Sequence, residues 1–222
     1  CTATSVEYDE AGRLTKETTG SRIFPNGYDP LGRPGSRKYR YGTGALRTLM
    51  EYTYDSYPST LATGGLSFST VSGVVTGYSA SVKGLKTSER VRVLQPSEAD
   101  SALGADSSAT YVTRAFYYDS LGRLVQTVER NHLGQVSRTS AKYNFTGNVV
   151  ATKETQTAGT SSSASADTAM SYDREGRITG MSVTLSPVTA YAAYGYDSRG
   201  RPATRTLGSS SSPAAVRTDS YT

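Results

Sequence analysis

Hydrophobic and polar residues alternate along this chain in short runs, and turn-forming Gly, Asp, Asn, Ser and Pro break the runs apart. The clearest series lies between residues 111 and 157, where "YVTRAFYYD", "RLVQTVER", "QVSRTSAKYN" and "NVVATKETQT" predict four strands of a meander. "TSERVRVL" alternates in the same way, and "ALRTLMEYTYD" fits either a strand or a short helix. No segment carries a convincing 3.6-residue period, so helix should be scarce. The expected fold class is all-β, with antiparallel hairpin and meander repeats forming a long curved sheet.

The breaks between runs are themselves repetitive. "YDEAGRL" (8–14), "YDPLGRP" (28–34), "YDSLGRL" (118–124), "YDREGRI" (172–178) and "YDSRGRP" (196–202) are one phrase with two free positions. A catalytic site is built once, so a phrase used repeatedly points to architecture. Asp, two variable residues and Gly match a type I turn, which takes Asp first, tolerates Pro second and accepts Gly fourth. With the glycine at positive φ the turn becomes a three-residue hairpin loop closed by a bulge.

That register makes cross-strand neighbours of Asp9 and Arg13, Asp29 and Arg33, Asp119 and Arg123, Asp173 and Arg177, and Asp197 and Arg201. The turn glycines are Gly12, Gly32, Gly122, Gly176 and Gly200. One step out, Tyr8 faces Leu14, Tyr28 faces Pro34, Tyr118 faces Leu124, Tyr172 faces Ile178 and Tyr196 faces Pro202. Alternation is expected to put these rings on the opposite side of the sheet from the charged pairs. Pro34 and Pro202 lack a backbone donor, so their hairpins are expected at an edge or shortened. "NHLGQV" (131–136) and "YNFTGNV" (143–149) keep Asn and Gly but lose the arginine, so they should turn without an ion pair.

Residues 43–110 depart from the pattern and read as an irregular, non-repeat insertion within one β region, 1–222, that looks like a fragment of a larger protein. "QPSEADSALGADSSA" reads as a surface loop, as do "TAGTSSSASAD" (157–167) and "LGSSSSPAA" (207–215).

Composition narrows the picture. Trp is absent, Phe occurs four times and Tyr 17 times, so burial must lean on tyrosine rather than on a thick Leu/Phe core. The net charge of +5 is spread along the chain, and five arginines sit beside an aspartate, which argues against a nucleic-acid partner. No apolar run is long enough to span a membrane as a helix. Cys1 is the only cysteine, which excludes an internal disulfide and reads as a boundary residue rather than a lipidation site. His132 is the only histidine and falls in a degenerate turn, without the partners that a triad or metal site needs. No catalytic, cofactor or metal residues are assigned. "YGTGALR" lacks the flanks of a phosphate loop, "SEADSALGAD" (97–106) fails calcium-loop spacing, and Asn144 of the sequon "NFT" is better explained as a turn opener.

The phrase Tyr-Asp-x-x-Gly-Arg-(Leu/Ile) between Thr-rich strands resembles the YD repeats of the RHS family, whose relatives include bacterial polymorphic toxins, toxin-complex subunits and teneurins. The matching stretches are 1–42 and 111–222. "VKGLKTSERVRVL" with "AFYYDSLGRLVQTVERNHLG" looks like RHS proteins of Bacteroidetes-type bacteria. The resemblance implies a ribbon rolled into a YD-repeat shell, secreted or on a bacterial cell surface. Its implied partners are the remainder of its own shell and an enclosed C-terminal toxin domain. Family members carry Asp-Pro motifs tied to self-cleavage, but "DPLG" occurs here once, inside an ordinary copy, so Asp29 reads as a turn residue. Two rival readings stand beside the non-enzymatic scaffold. One is a surface module binding glycan or protein through tyrosines in "YRY", "EYTYDSY" and "AYAAYGYD"; the weaker is an enzyme domain within 43–110.

Overall fold

The structure is a computed structural model describing residues 4–94, 103–158, 162–209 and 217–220. Cys1 and most of the segment 207–215 lie outside the described residues. Fifteen strands are described, and their order in the sheet is their order in the chain: β1 (Thr4–Tyr8), β2 (Leu14–Thr19), β3 (Arg22–Tyr28), β4 (Pro34–Tyr41), β5 (Arg47–Asp55), β6 (Val82–Arg92), β7 (Tyr111–Tyr118), β8 (Leu124–Arg130), β9 (Val136–Tyr143), β10 (Val149–Ala158), β11 (Ser162–Tyr172), β12 (Ile178–Leu185), β13 (Val188–Tyr196), β14 (Pro202–Gly208) and β15 (Arg217–Ser220). They form one open, antiparallel-type sheet, and the helix among the described residues is a single turn, α1 (Thr60–Thr63). Short alternating runs joined by tight turns give this order because each strand finds its partner at the nearest point in sequence.

The chain divides into two compact units, Cys1–Ser67 with Ser79–Phe116 and Glu129–Gly134, and Phe68–Tyr78 with Tyr117–Val128 and Gln135–Thr222. In the first, Leu61, Leu66, Val82 and Ala115 are buried, and Phe24 lies 5.3 Å from buried Tyr39, centroid to centroid. In the second, Tyr117, Val125, Val128 and Ala192 are buried, and Phe68, Tyr78 and Tyr117 form a mutually packed aromatic trio with centroids 4.8–5.6 Å apart. Both cores are small, as the scarcity of Phe and absence of Trp require.

Within 43–110, β5 and β6 are ordinary members of the ladder, with Met50 opposite Val91 and Thr53 opposite Ser88. The chain leaves the sheet between Asp55 and Val82. The excursion is anchored in the second unit by Gln126, whose amide is fully buried. Its Oε1 accepts the Ser69 N–H (2.9 Å), and its Nε2 donates to Ser69 O (2.8 Å) and Ser140 Oγ (2.9 Å). A second excursion, before β7, is held by Asp106, which accepts the Thr48 N–H and the Arg92 Nη1.

Two expectations need correction. Residues 162–167, expected to be loop, are the start of β11, paired with β10 from Ala151 opposite Ala169 to Ala158 opposite Ser162. Ser and Ala have little strand propensity, but backbone pairing to a formed neighbour overrides that preference. Pro34 and Pro202 also start strands of ordinary length in the body of the sheet. Each faces the residue before its turn, and the ladder to the following strand begins only at Ser36 and at Thr204, so the missing donor removes no bond.

Candidate functional site

Chemistry that recurs along the described chain is concentrated at the hairpin tips. In the first, the Gly12 N–H donates to Asp9 O (2.9 Å) and the Asp9 N–H to Arg13 O (3.0 Å). The Asp9 carboxylate then accepts three times: Oδ1 takes the N–H groups of Ala11 (3.0 Å) and Arg13 (2.9 Å), and Oδ2 takes Arg13 Nε (2.7 Å). The same set occurs at Asp29/Arg33, Asp119/Arg123, Asp173/Arg177 and Asp197/Arg201, with Nε to Oδ2 distances of 2.6–2.7 Å. Gly12, Gly32, Gly122, Gly176 and Gly200 have φ of 75–80°. The Asn turns keep the backbone part: the Leu133 N–H donates to Asn131 Oδ1, and the Asn148 N–H to Asn144 Oδ1.

Four of the five tips, those of Arg13, Arg33, Arg123 and Arg177, are also tied to a later tyrosine. Beyond the turn, the register of β2 with β3 (Lys16 opposite Pro25), carried three residues further, sets Arg13 opposite Tyr28. The Arg13 guanidinium lies 4.9 Å from the Tyr28 ring centre, and the Tyr28 hydroxyl donates to Leu14 O (3.0 Å). The same three-residue extension of β4/β5 and β12/β13 sets Arg33 opposite Tyr54 and Arg177 opposite Tyr196. Those guanidiniums lie 4.2 and 4.6 Å from the rings, and the hydroxyls donate to Pro34 O and Ile178 O. Arg123 repeats the contact on Tyr143 at 4.9 Å, with the hydroxyl on Leu124 O.

Tyr28 and Tyr196 are therefore not segregated from the charged pairs as expected; each lies with the arginine of an earlier YD copy. Alternation holds along one strand, but the two partners sit on adjacent strands at facing positions and so share a side.

The turn glycine completes the contact. A Cβ at Gly32 would come within 2.6 Å of Arg13 Nη1, and one at Gly200 within 2.9 Å of Arg177 Nη1. The residue that bends one copy thus also leaves room for the arginine of the copy before it.

Of the tyrosines singled out in the sequence, Tyr28 and Tyr196 make the whole contact. Tyr172 faces Asn148 and keeps only its hydroxyl bond, to Val149 O (2.7 Å). Tyr8 is exposed, and Tyr118 is partly buried, which raises its hydroxyl pKa. Tyr54 was singled out only as part of a recognition cluster, and Asp55 and Tyr143 were given no part in this contact. Asp55 accepts from Arg33 and from the Gly84 N–H (2.6 Å), and its own φ is 68°. The hydrogen bond from Arg33, then that from Gly84, holds the Asp55 carboxyl at about 2. The signal for it was the Tyr54–Asp55 pair itself, without the glycine that marks the other copies.

His132 is exposed, and no group of three or more metal-ligating side chains occurs among the described residues. A family model described as the Teneurin YD-shell matches residues 37–213, running through 43–110 as well as the regular copies. The chain belongs to the Teneurin YD-shell family. A comparison with curated proteins gave no match. For this YD-shell chain the tips are a structural device: a turn, a buttressed ion pair and a stack on the next copy, repeated along the sheet.

Proposed function

We propose that this YD-shell chain is a length of non-enzymatic wall that encloses or presents another polypeptide, such as a toxin domain, outside the cell. The observation that carries this reading is the contact of Arg13, Arg33, Arg123 and Arg177 with a later tyrosine, made at Tyr28, Tyr54, Tyr143 and Tyr196. A sheet with a thin core holds its form when successive hairpins are tied to one another, and a wall needs that rigidity more than it needs a pocket. The same contacts count against recognition through tyrosine clusters: Tyr54 and Tyr196 are occupied by arginine, and Tyr39 is buried.

Limited proteolysis of the full gene product tests the reading. A segment held inside the wall should survive protease doses that digest it when it is expressed alone. That protection should be lost when Arg13, Arg33, Arg123 and Arg177 are together replaced by Leu. Equal digestion of the segment inside and outside the intact protein would refute enclosure.

A further inference from the structure

We propose that the hollow between α1 and the sheet binds a small hydroxylated carboxylate, a hexuronic acid being the simplest sugar of that class, with Arg130 holding the carboxylate. The cavity, about 410 Å³, lies wholly within the first unit. Its volume falls in the range of small-molecule sites, about 300–1,000 Å³. Thr53, Ser88 and Thr113 line it from the sheet, and Thr60 and Leu66 from the excursion after β5.

The charges around it decide the class of ligand. Glu51 is bound to Arg90 at 2.5 Å. Glu89 is bound to Lys86 (2.5 Å) and Arg114 (3.1 Å), and Arg114 also meets Glu129. Every lining carboxylate therefore has its cation. Arg130 has no carboxylate partner among the described residues; its one contact is from Nη1 to Gly64 O at 3.1 Å.

A guanidinium carries five N–H donors in a fork that matches a carboxylate, and Arg130 lines the hollow with one of its nitrogens on Gly64 O. One uncompensated positive charge beside two paired carboxylates suits a monoanion and disfavours a phosphate dianion. The three threonines and Ser88 can each donate to and accept from ligand hydroxyls. Buried Leu66 offers an apolar contact for a ring face.

The test is calorimetric titration of the folded chain with sodium glucuronate, with glucose and lactate as the uncharged and the sparsely hydroxylated comparison. Glucuronate should bind with a Kd of about 1 mM, and both comparisons should bind at least about tenfold more weakly. Arg130→Gln should weaken glucuronate by about tenfold or more. Arg130→Lys keeps the charge without the fork and should fall between; it also serves if the glutamine variant does not fold. The proposal is overturned if glucose binds as tightly as glucuronate, if either variant keeps the wild-type affinity, or if the folded protein shows no binding at about 50 mM glucuronate.

Discussion

A single aspartate at each of the five YD tips accepts from two backbone N–H groups and one guanidinium, and that concentration of donors favours its ionised form. For Asp9 and Asp197 the backbone N–H of the following arginine is the largest cause of a lowered pKa. At Asp119 burial pushes the carboxyl up, but the donors from Arg123 and Leu121 outweigh it and the net shift is downward. A folded pKa below the unfolded value means that the stabilisation is complete above the ordinary aspartate range, near 3.8, and is lost as pH falls through the folded value. The melting temperature should thus stay level from about pH 7 to 5 and drop between about pH 4 and 2. Asp55→Asn should lower the plateau and make the drop shallower, the two curves converging near the Asp55 value of about 2. A glycine pair separates bending from tying. Gly147 has φ 89° and nothing within 4 Å of an added Cβ, whereas a Cβ at Gly32 meets Arg13. Both Ala variants should lose about 1–2 kcal/mol from left-handed backbone strain. Gly32→Ala should lose more, and a cycle with Arg13→Ala should show coupling that Gly147→Ala lacks, read by urea unfolding.

At the scale of elements, the excursion between β5 and β6 depends on one buried amide. Gln126→Leu would leave both backbone groups of Ser69 and the Ser140 hydroxyl without Gln126. The expected cost is about 2–4 kcal/mol, with faster amide exchange across 68–78. Gln126→Glu keeps the acceptor and removes the donor, so it should restore less than half of that loss.

The turn itself was legible in the sequence because its physics is local: Asp, Gly and Arg lie within five residues and act on each other. The contact of Arg13 with Tyr28, or of Arg33 with Tyr54, was not, because it depends on the register of the next hairpin. The intervening strands and turns differ in length from copy to copy, so no fixed spacing announces it. The part of Tyr54–Asp55 in this contact was not legible for the same reason that it is distinctive: the chain there departs into a long excursion, and Asp55 takes a left-handed conformation without a glycine.

At the scale of the molecule, strand order follows chain order, so the ladder joins each strand to its neighbours in sequence. Stability should therefore be graded rather than uniform. Amide exchange should be slowest in β7 and β8, which hold Ala115, Tyr117, Val125 and Val128, and fastest in β1, exposed at all five residues. Equal protection in β1 and β8 would show an all-or-none unit instead. Position 148 bears on the same grading. Asn148 stands where the five YD copies have arginine, so the junction toward Tyr172 has one hydroxyl bond in place of the arginine–ring contact, beside the backbone ladder and the Lys153–Asp167 ion pair. Under tension applied across the strands, that joint would resist through its ladder and the Lys153–Asp167 pair rather than through a stacked guanidinium, and installing arginine at 148 would stiffen it.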